Sequence, residues 1–326
     1  MAASLSLGGD RRTGRAASGR RSLDRGRAGA AGPAAGGRRR EPYGRGPGRL
    51  PVRRTLRPVA DAPALVLDGK GTRTTRALVV ADLHLGLAGT SARPMGPPRG
   101  SAGEMEDRLV ALARAERAGT IVIAGDVKHP IVGTPLPLRP LLFDFFSALL
   151  GEGLRVEVVL GNHDAGLERH LPREVEVHPA TGAARRGVGI FHGHRWPSDE
   201  LLGCRRWVTG HLHPGYRFAP TEDMPDGKRP CWIRVEFPTR LPAVEGRVRP
   251  FVRELVVLPP FNPLAGLEAL NRERPARGRS FLYRQFLARG IARAYLLDGT
   301  DLGVVPMPTG APHHRPRAGR ATSRGR

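Results

Sequence analysis

The sequence predicts an α/β fold whose chemistry sits at strand ends, and three observations lead there. Five short, apolar, β-branched-rich runs recur along the chain, each reading as a buried strand. Each run stops at a polar cluster of Asp, Asn or His. Helix-like stretches lie between some of the runs, and in α/β folds sites form outside the carboxyl ends of strands.

The first run, 77–81, ends at Asp82-Leu83-His84. The second, 120–124, ends at Gly125-Asp126-Val127-Lys128-His129. The third, 156–160, ends at Gly161-Asn162-His163-Asp164, the fourth, 188–191, at His192-Gly193-His194, and the fifth, 207–209, at Gly210-His211-Leu212-His213. Residues 103–118 carry Met105, Leu109 and Leu112 at helical spacing, and 141–150 is a strongly apolar helix candidate. Later, 231–237 and 251–258 read as further strands. The Pro/Gly-rich 89–100 and the polar 221–229 read as mobile loops near the clusters.

Charge is unevenly spread. The net charge is +23. Residues 1–57 hold 15 Arg against Asp10, Asp24 and Glu41, and residues 306–326 hold five Arg and no acid. The predicted organisation is therefore a disordered Arg/Gly/Ala-rich arm over 1–57, one catalytic domain over 58–305, and a disordered basic tail over 306–326. The arm is too poor in apolar residues to offset the entropy of ordering it. It is either a solvated extension or an electrostatic handle for nucleic acid.

Cys204 and Cys231 are the two cysteines, too few for a disulfide framework and outside the polar clusters, so core positions are expected. No run approaches the length of a membrane span, and the first residues lack the apolar stretch of a secretory signal. A cytoplasmic location without membrane association is the expectation.

The clusters suit two divalent cations held close together, the arrangement used to hydrolyse phosphate esters. Asp82 and His84 can reach one cation as the chain leaves the sheet. Asp126 can bridge two, one oxygen to each. Asn162 can offer its carbonyl oxygen, leaving His163 to face substrate. Asp164 is expected to accept a hydrogen bond from the His163 ring and orient it. His192 is the expected ligand of its cluster, with His194 beside it or near substrate. His211 and His213 alternate in direction and can serve different cations. A lone histidine is usually structural, but seven such groups after five strand ends are not chance neighbours.

The series Asp-x-His, Gly-Asp, Gly-Asn-His-Asp, His and Gly-His-x-His resembles the calcineurin-like metallophosphoesterase superfamily over roughly residues 75–260. A His three residues after Asp126 is similar to the SbcD-type DNA-repair nucleases. Asp82–Gly86, Gly125–His129, Phe191–His194 and the 297–303 segment look most like archaeal-type SbcD-related phosphoesterases. Those are compact proteins without the long arm, so nothing about 1–57 carries over. The resemblance implies a four-layer α-β-β-α sandwich of two mixed sheets. It implies Asp82, His84, Asp126 and His213 around one metal, and Asp126, Asn162, His192 and His211 around the other. Mn²⁺ is the favoured metal, with Fe²⁺, Zn²⁺ or Co²⁺ as alternatives.

The activity implied is in-line attack on phosphorus by a hydroxide shared between the metals. His163, Asp164 and His129 are the catalytic candidates, with Arg195 and His194 contacting substrate. Two substrate classes stay open: a nucleic-acid phosphodiester, or a small nucleotide or cyclic nucleotide. An ATPase partner follows only by analogy with SbcD-type nucleases. A scaffold that has lost its chemistry would be expected to lack ligands, and all seven are present.

Overall fold

A computed structural model describes residues 56–68, 76–87, 102–222, 227–243, 249–271 and 281–305. It has the four layers expected. Leu56 and Arg57, the last residues of the predicted arm, belong to the first strand; the rest of the arm, the basic tail and the 89–100 loop lie outside the described residues.

The first sheet runs in order β1 (Leu56–Pro58), β2 (Leu65–Leu67), β3 (Ala77–Val80), β4 (Thr120–Ala124), β5 (Arg155–Val159), β6 (Glu176–His178). β1 to β3 are antiparallel neighbours, and β3 to β6 are parallel. β3 and β4 are buried along their whole length, as expected of parallel strands covered on both faces. Pro58 is tolerated because β1 is an edge.

The second sheet is built from β7 (Ala183–Arg185), β8 (Val188–Ile190), β9 (Arg206–Thr209), β10 (Pro214–Arg217), β11 (Lys228–Glu236), β12 (Glu254–Val257), β13 (Glu268–Ala269), β14 (Ile291–Leu296) and β15 (Asp301–Val304). Its order is β13-β10-β11-β12-β9-β8-β7. β8, β9 and β12 run parallel, while β11 pairs antiparallel with β10, β12 and β14. The 221–229 stretch is only partly a loop, since Lys228 and Arg229 already pair with β10. The 297–303 segment is the turn and second arm of the β14–β15 hairpin.

The inner faces of the two sheets pack on each other, with Val79, Val122 and Val159 from the first meeting Val208, Trp232 and Val256 from the second. α1 (Ala102–Ala115) and α2 (Leu138–Gly151) cover the outer face of the first sheet. α1 is amphipathic, burying Met105, Leu109 and Ala113 at four-residue spacing. α2 buries Leu138, Leu142, Phe145, Phe146 and Leu149. The shorter α3 (Asp199–Leu202) and α4 (Phe281–Gln285) cover the second sheet, where Leu201, Leu282 and Phe286 close over Trp207. Cys204 and Cys231 are buried, unpaired members of that core. No helix among the described residues is long and apolar enough to cross a membrane.

Candidate metal centre

All five polar clusters converge at the carboxyl ends of β3, β4 and β5 in one sheet and β8 and β9 in the other. The β3–β4 ladder continues past the sheet edge to aim the first two. Asp82 N–H donates to the Gly125 carbonyl (3.0 Å), His84 N–H to Asp126 (2.9 Å), Leu85 N–H to Val127 (2.7 Å) and His129 N–H to Leu85 (3.0 Å). Asn262, wholly buried, clamps the same loop from the far side by donating Nδ2–H to the Leu83 carbonyl (2.8 Å).

The backbone is strained where the side chains converge. Eight non-glycine residues among those described have positive φ, and five of them are Asp82, His84, Asp126, His211 and His213. L-residues adopt that region at a cost of about 1 kcal/mol or more each. Two glycines allow the close approach. A Cβ on Gly161 would lie 2.2 Å from Asp126 Oδ1, and one on Gly125 would lie 2.4 Å from His192 Nδ1.

Three groups of three donors result at these strand ends, among the described residues: Asp82, His84 and His213; Asp126, His192 and His211; and His84 with the two catalytic candidates His129 and His163. The ligand atoms of each group lie within 4.8 Å of one another. In the second, His192 Nδ1–H donates to the Ala124 carbonyl (2.9 Å), so Nε2 presents its lone pair. That nitrogen faces Asp126 Oδ2 and Asn162 Oδ1, each at 3.2 Å. In the first group, His213 Nδ1–H donates to the Gly266 carbonyl (3.0 Å), and Nε2 faces His84 Nε2 at 3.1 Å and Asp82 Oδ1 at 3.4 Å. Asp126 Oδ2 also lies 3.8 Å from His84 Nε2, which puts this carboxylate between the first two groups.

Acceptor atoms that face one another across about 3 Å are satisfied by a shared proton or by a metal ion placed among them. A mixed carboxylate, amide oxygen and imidazole set is what Mn²⁺, Fe²⁺, Zn²⁺ or Co²⁺ take, so the residues fit the group they were expected to hold. Protonation shows the same demand. Burial alone would lower the His192 pKa, but the charges of Asp126 and Asp82 overcome it and raise it to about 9. Burial would raise Asp126, yet His192 and the His163 amide hold it far below the carboxylate range. His84 and His211, where burial dominates, drop to about 4 and stay neutral.

The three catalytic candidates are brought to the same place with one correction. His163 Nε2 lies 3.6 Å from Asp126 Oδ2, and the His129 and His163 rings stack at 6.0 Å. The His163 ring is oriented by donating Nδ1–H to the His129 carbonyl, not to Asp164. Asp164 is fully buried and turns inward instead, its oxygens accepting from the amides of Lys128 (3.2 Å) and Gly161 (2.8 Å). Burial raises its pKa to about 6. It ties two site loops together and holds no imidazole. His194 lies beside His192 and His211 at ring distances of 5.4 and 6.2 Å, with burial lowering it to about 3. Exposed Arg195 donates Nε–H to His194 Nε2 (3.1 Å).

Sequence reading missed Lys128. Its side chain is fully buried, and its ammonium donates to the carbonyls of Pro130 (2.6 Å), Gly133 (3.0 Å) and His163. It staples the loop after β4 to the loop after β5. The chain-level signal was a Lys inside an otherwise apolar-and-ligand cluster, but its partners are carbonyls, which leave no mark in a sequence. The same holds for the Ala124 and Gly266 carbonyls that fix the two histidine tautomers.

Residues 75–215 match the family model for calcineurin-like phosphoesterase. No curated protein matches the chain in sequence. Among solved structures, the chain is similar to the Pseudomonas putida nuclease MPE at 18% identity, covering 77% of this chain and 99% of that one with a TM-score of 0.43. It is also similar to Yfce, a phosphoesterase from E. coli, at 13% identity, covering 71% and 98% with a TM-score of 0.31.

Proposed function

We propose that this metal-dependent phosphoric ester hydrolase, whose residues 75–215 match the calcineurin-like phosphoesterase model, is a two-metal phosphodiesterase acting on nucleic acid. The observation that supports the two-metal reading is the pair of buried donor groups that meet at Asp126. Asp82, His84, Asp126 and His213 would hold one cation, and Asp126, Asn162, His192 and His211 the other. When bound, such a pair supplies a nucleophile at neutral pH and offsets charge on the phosphoryl oxygens. Mn²⁺ is the favoured occupant.

The chain's own residues supply the rest. His163, its Nδ1–H held by the His129 carbonyl, keeps Nε2 at the rim for a phosphoryl oxygen or the departing alkoxide. His129 stacks beside it and faces the same space. Arg195, exposed and tied to His194, is a substrate contact on the other flank. Asp164 acts through the backbone that positions His163. His129, three residues after Asp126, is the feature supporting an SbcD-like nuclease within the wider family, with an ATPase partner and a cytoplasmic location following from that reading.

The test is hydrolysis of an aryl phosphodiester and of labelled single- and double-stranded DNA, with Mn²⁺ and with chelator. Chelator-sensitive DNA cleavage is expected, with Asn162→Ala abolishing it and leaving the circular dichroism unchanged. Cleavage of the small ester alone would assign a nucleotide-scale substrate. Full activity in chelator would remove the metal centre from the reaction.

A further inference from the structure

The loop after His129 exposes an unusual amount of aliphatic surface for its place. Ile131 is 57% exposed, Val132 91% and Leu136 71%. Isolated exposed aliphatics are ordinary, but three within six residues at the mouth of a charged site are not. The loop is also held firmly. The buried Lys128 ammonium binds the Pro130 and Gly133 carbonyls on either side of the tip, and Arg139 Nε–H binds the Thr134 carbonyl (3.1 Å). Turning these carbonyls inward leaves the tip's side chains facing out.

Its position limits what it can touch. His129 starts the loop, its ring 5.4 Å from His84 and 6.0 Å from His163. Val132 is three residues on, so its Cα stands within about 10 Å of the His129 Cα. That is the reach of the base attached to a phosphate seated among these histidines. No acid occurs between Asp126 and Asp144. Arg139 lies against one flank of the loop, where its Nε–H donates to the Thr134 carbonyl. A guanidinium beside an apolar tip complements a nucleotide, which is anionic at phosphate and apolar on its base face. A protein partner or a second copy would need roughly 800 Å² from each side, more than three aliphatic side chains offer.

Resting on the phosphodiesterase reading above, we propose that the 130–136 loop is a preformed apolar finger whose Ile131 and Val132 pack against a nucleobase flanking the scissile phosphate. Lys128 is the residue that positions it. The finger makes base-bearing diesters better substrates than equally reactive diesters without a base, whatever the sequence, because every base has an apolar face.

The experiment compares wild type with the double variant Ile131→Ser, Val132→Ser, which removes no core residue. Both are assayed with Mn²⁺ on thymidine 5′-(4-nitrophenyl phosphate) and on methyl 4-nitrophenyl phosphate, which share a leaving group. The expected result is a loss of about tenfold in kcat/KM for the thymidine ester, mostly in KM, with the methyl ester unchanged. An equal loss on both esters, or no loss on either, overturns the finger. A dimer in wild type that becomes a monomer in the variant, without a substrate-selective loss, overturns it and assigns the loop to contact between copies. If wild type cleaves neither ester, the phosphodiesterase reading itself fails and the finger goes with it.

Discussion

Two places among the described residues gather carboxylates and imidazoles tightly enough to resemble metal sites. One is the centre at the strand ends; the other is Glu157, Glu176 and His178 on β5 and β6. In both, the ligand-type atoms lie within 4.8 Å of one another. They differ in who supplies the positive charge. At the second place the chain does: Arg185 reaches across from the other sheet to bind Glu157, and His178 is raised above its ordinary value by its hydrogen bond to Glu157. At the strand ends the nearest lysine, Lys128, is committed to three carbonyls and does not serve Asp126. The residues of the second cluster lie on regular strands, while five at the first hold left-handed backbone. Proximity of ligand-like groups is therefore a poor sign of a metal site. An unmet demand for a cation, held open at the expense of backbone strain, is a better one.

The largest expected effect comes from removing the shared carboxylate. Asp126→Ala should lower kcat with Mn²⁺ by at least about 10³-fold, since both cations lose a ligand. Glu157→Ala should leave the same kcat within about twofold, and a comparable loss there would erase the distinction between the clusters. Gly161→Ala comes next. Its Cβ would displace the Asp126 carboxylate, and a shift of about 1 Å should lower turnover about 10²-fold while the urea-unfolding slope stays that of a folded chain.

Mn²⁺ at about a hundred times its Kd should stabilise the protein by about 2.7 kcal/mol, read as a higher melting temperature. That gain should vanish in Asp126→Ala and persist in His178→Ala. It should also grow with pH, because His192 holds a proton below about 9 and must release it to bind a cation. Lys128→Met should cost about 2 kcal/mol in urea unfolding, by stranding buried carbonyls, without altering metal stoichiometry.

The smallest effect belongs to His178→Ala. His178 titrates above its ordinary 6.5 in the folded state, so the stability it contributes is complete below that pH and disappears as pH rises through the raised value. The variant should be less stable by about 0.5 kcal/mol near pH 6 and match wild type in alkaline buffer. A deficit that grew with pH would contradict the ion-pair account.

The positions of the candidate metal centre were legible because a buried strand ending in Asp or His is an uncommon pattern, and five repeats of it fall at strand ends in the two sheets. What stayed hidden had mostly backbone partners. Asp164 was read as the His163 partner because the two are adjacent, yet a fully buried carboxylate takes the nearest free amides, and the loop turns it toward Lys128 and Gly161. β1 and β2 escaped notice because Pro58 and Pro63 interrupt the runs, which an edge strand and its turn tolerate. The 221–229 stretch looked like a loop from its Pro and charges, although Lys228 and Arg229 begin a nine-residue strand.

The left-handed ligand positions also say which way this chain would decay. Asp82, His84, Asp126, His211 and His213 would each sit more comfortably as glycine, the residue for which that backbone carries no steric cost. A lineage freed from chemistry would find substitutions there that silence the protein and firm up its fold in one step. Directed stabilisation faces the same trap: a screen that scores only melting temperature would collect glycines at the metal centre and return a sturdier protein with nothing left to catalyse.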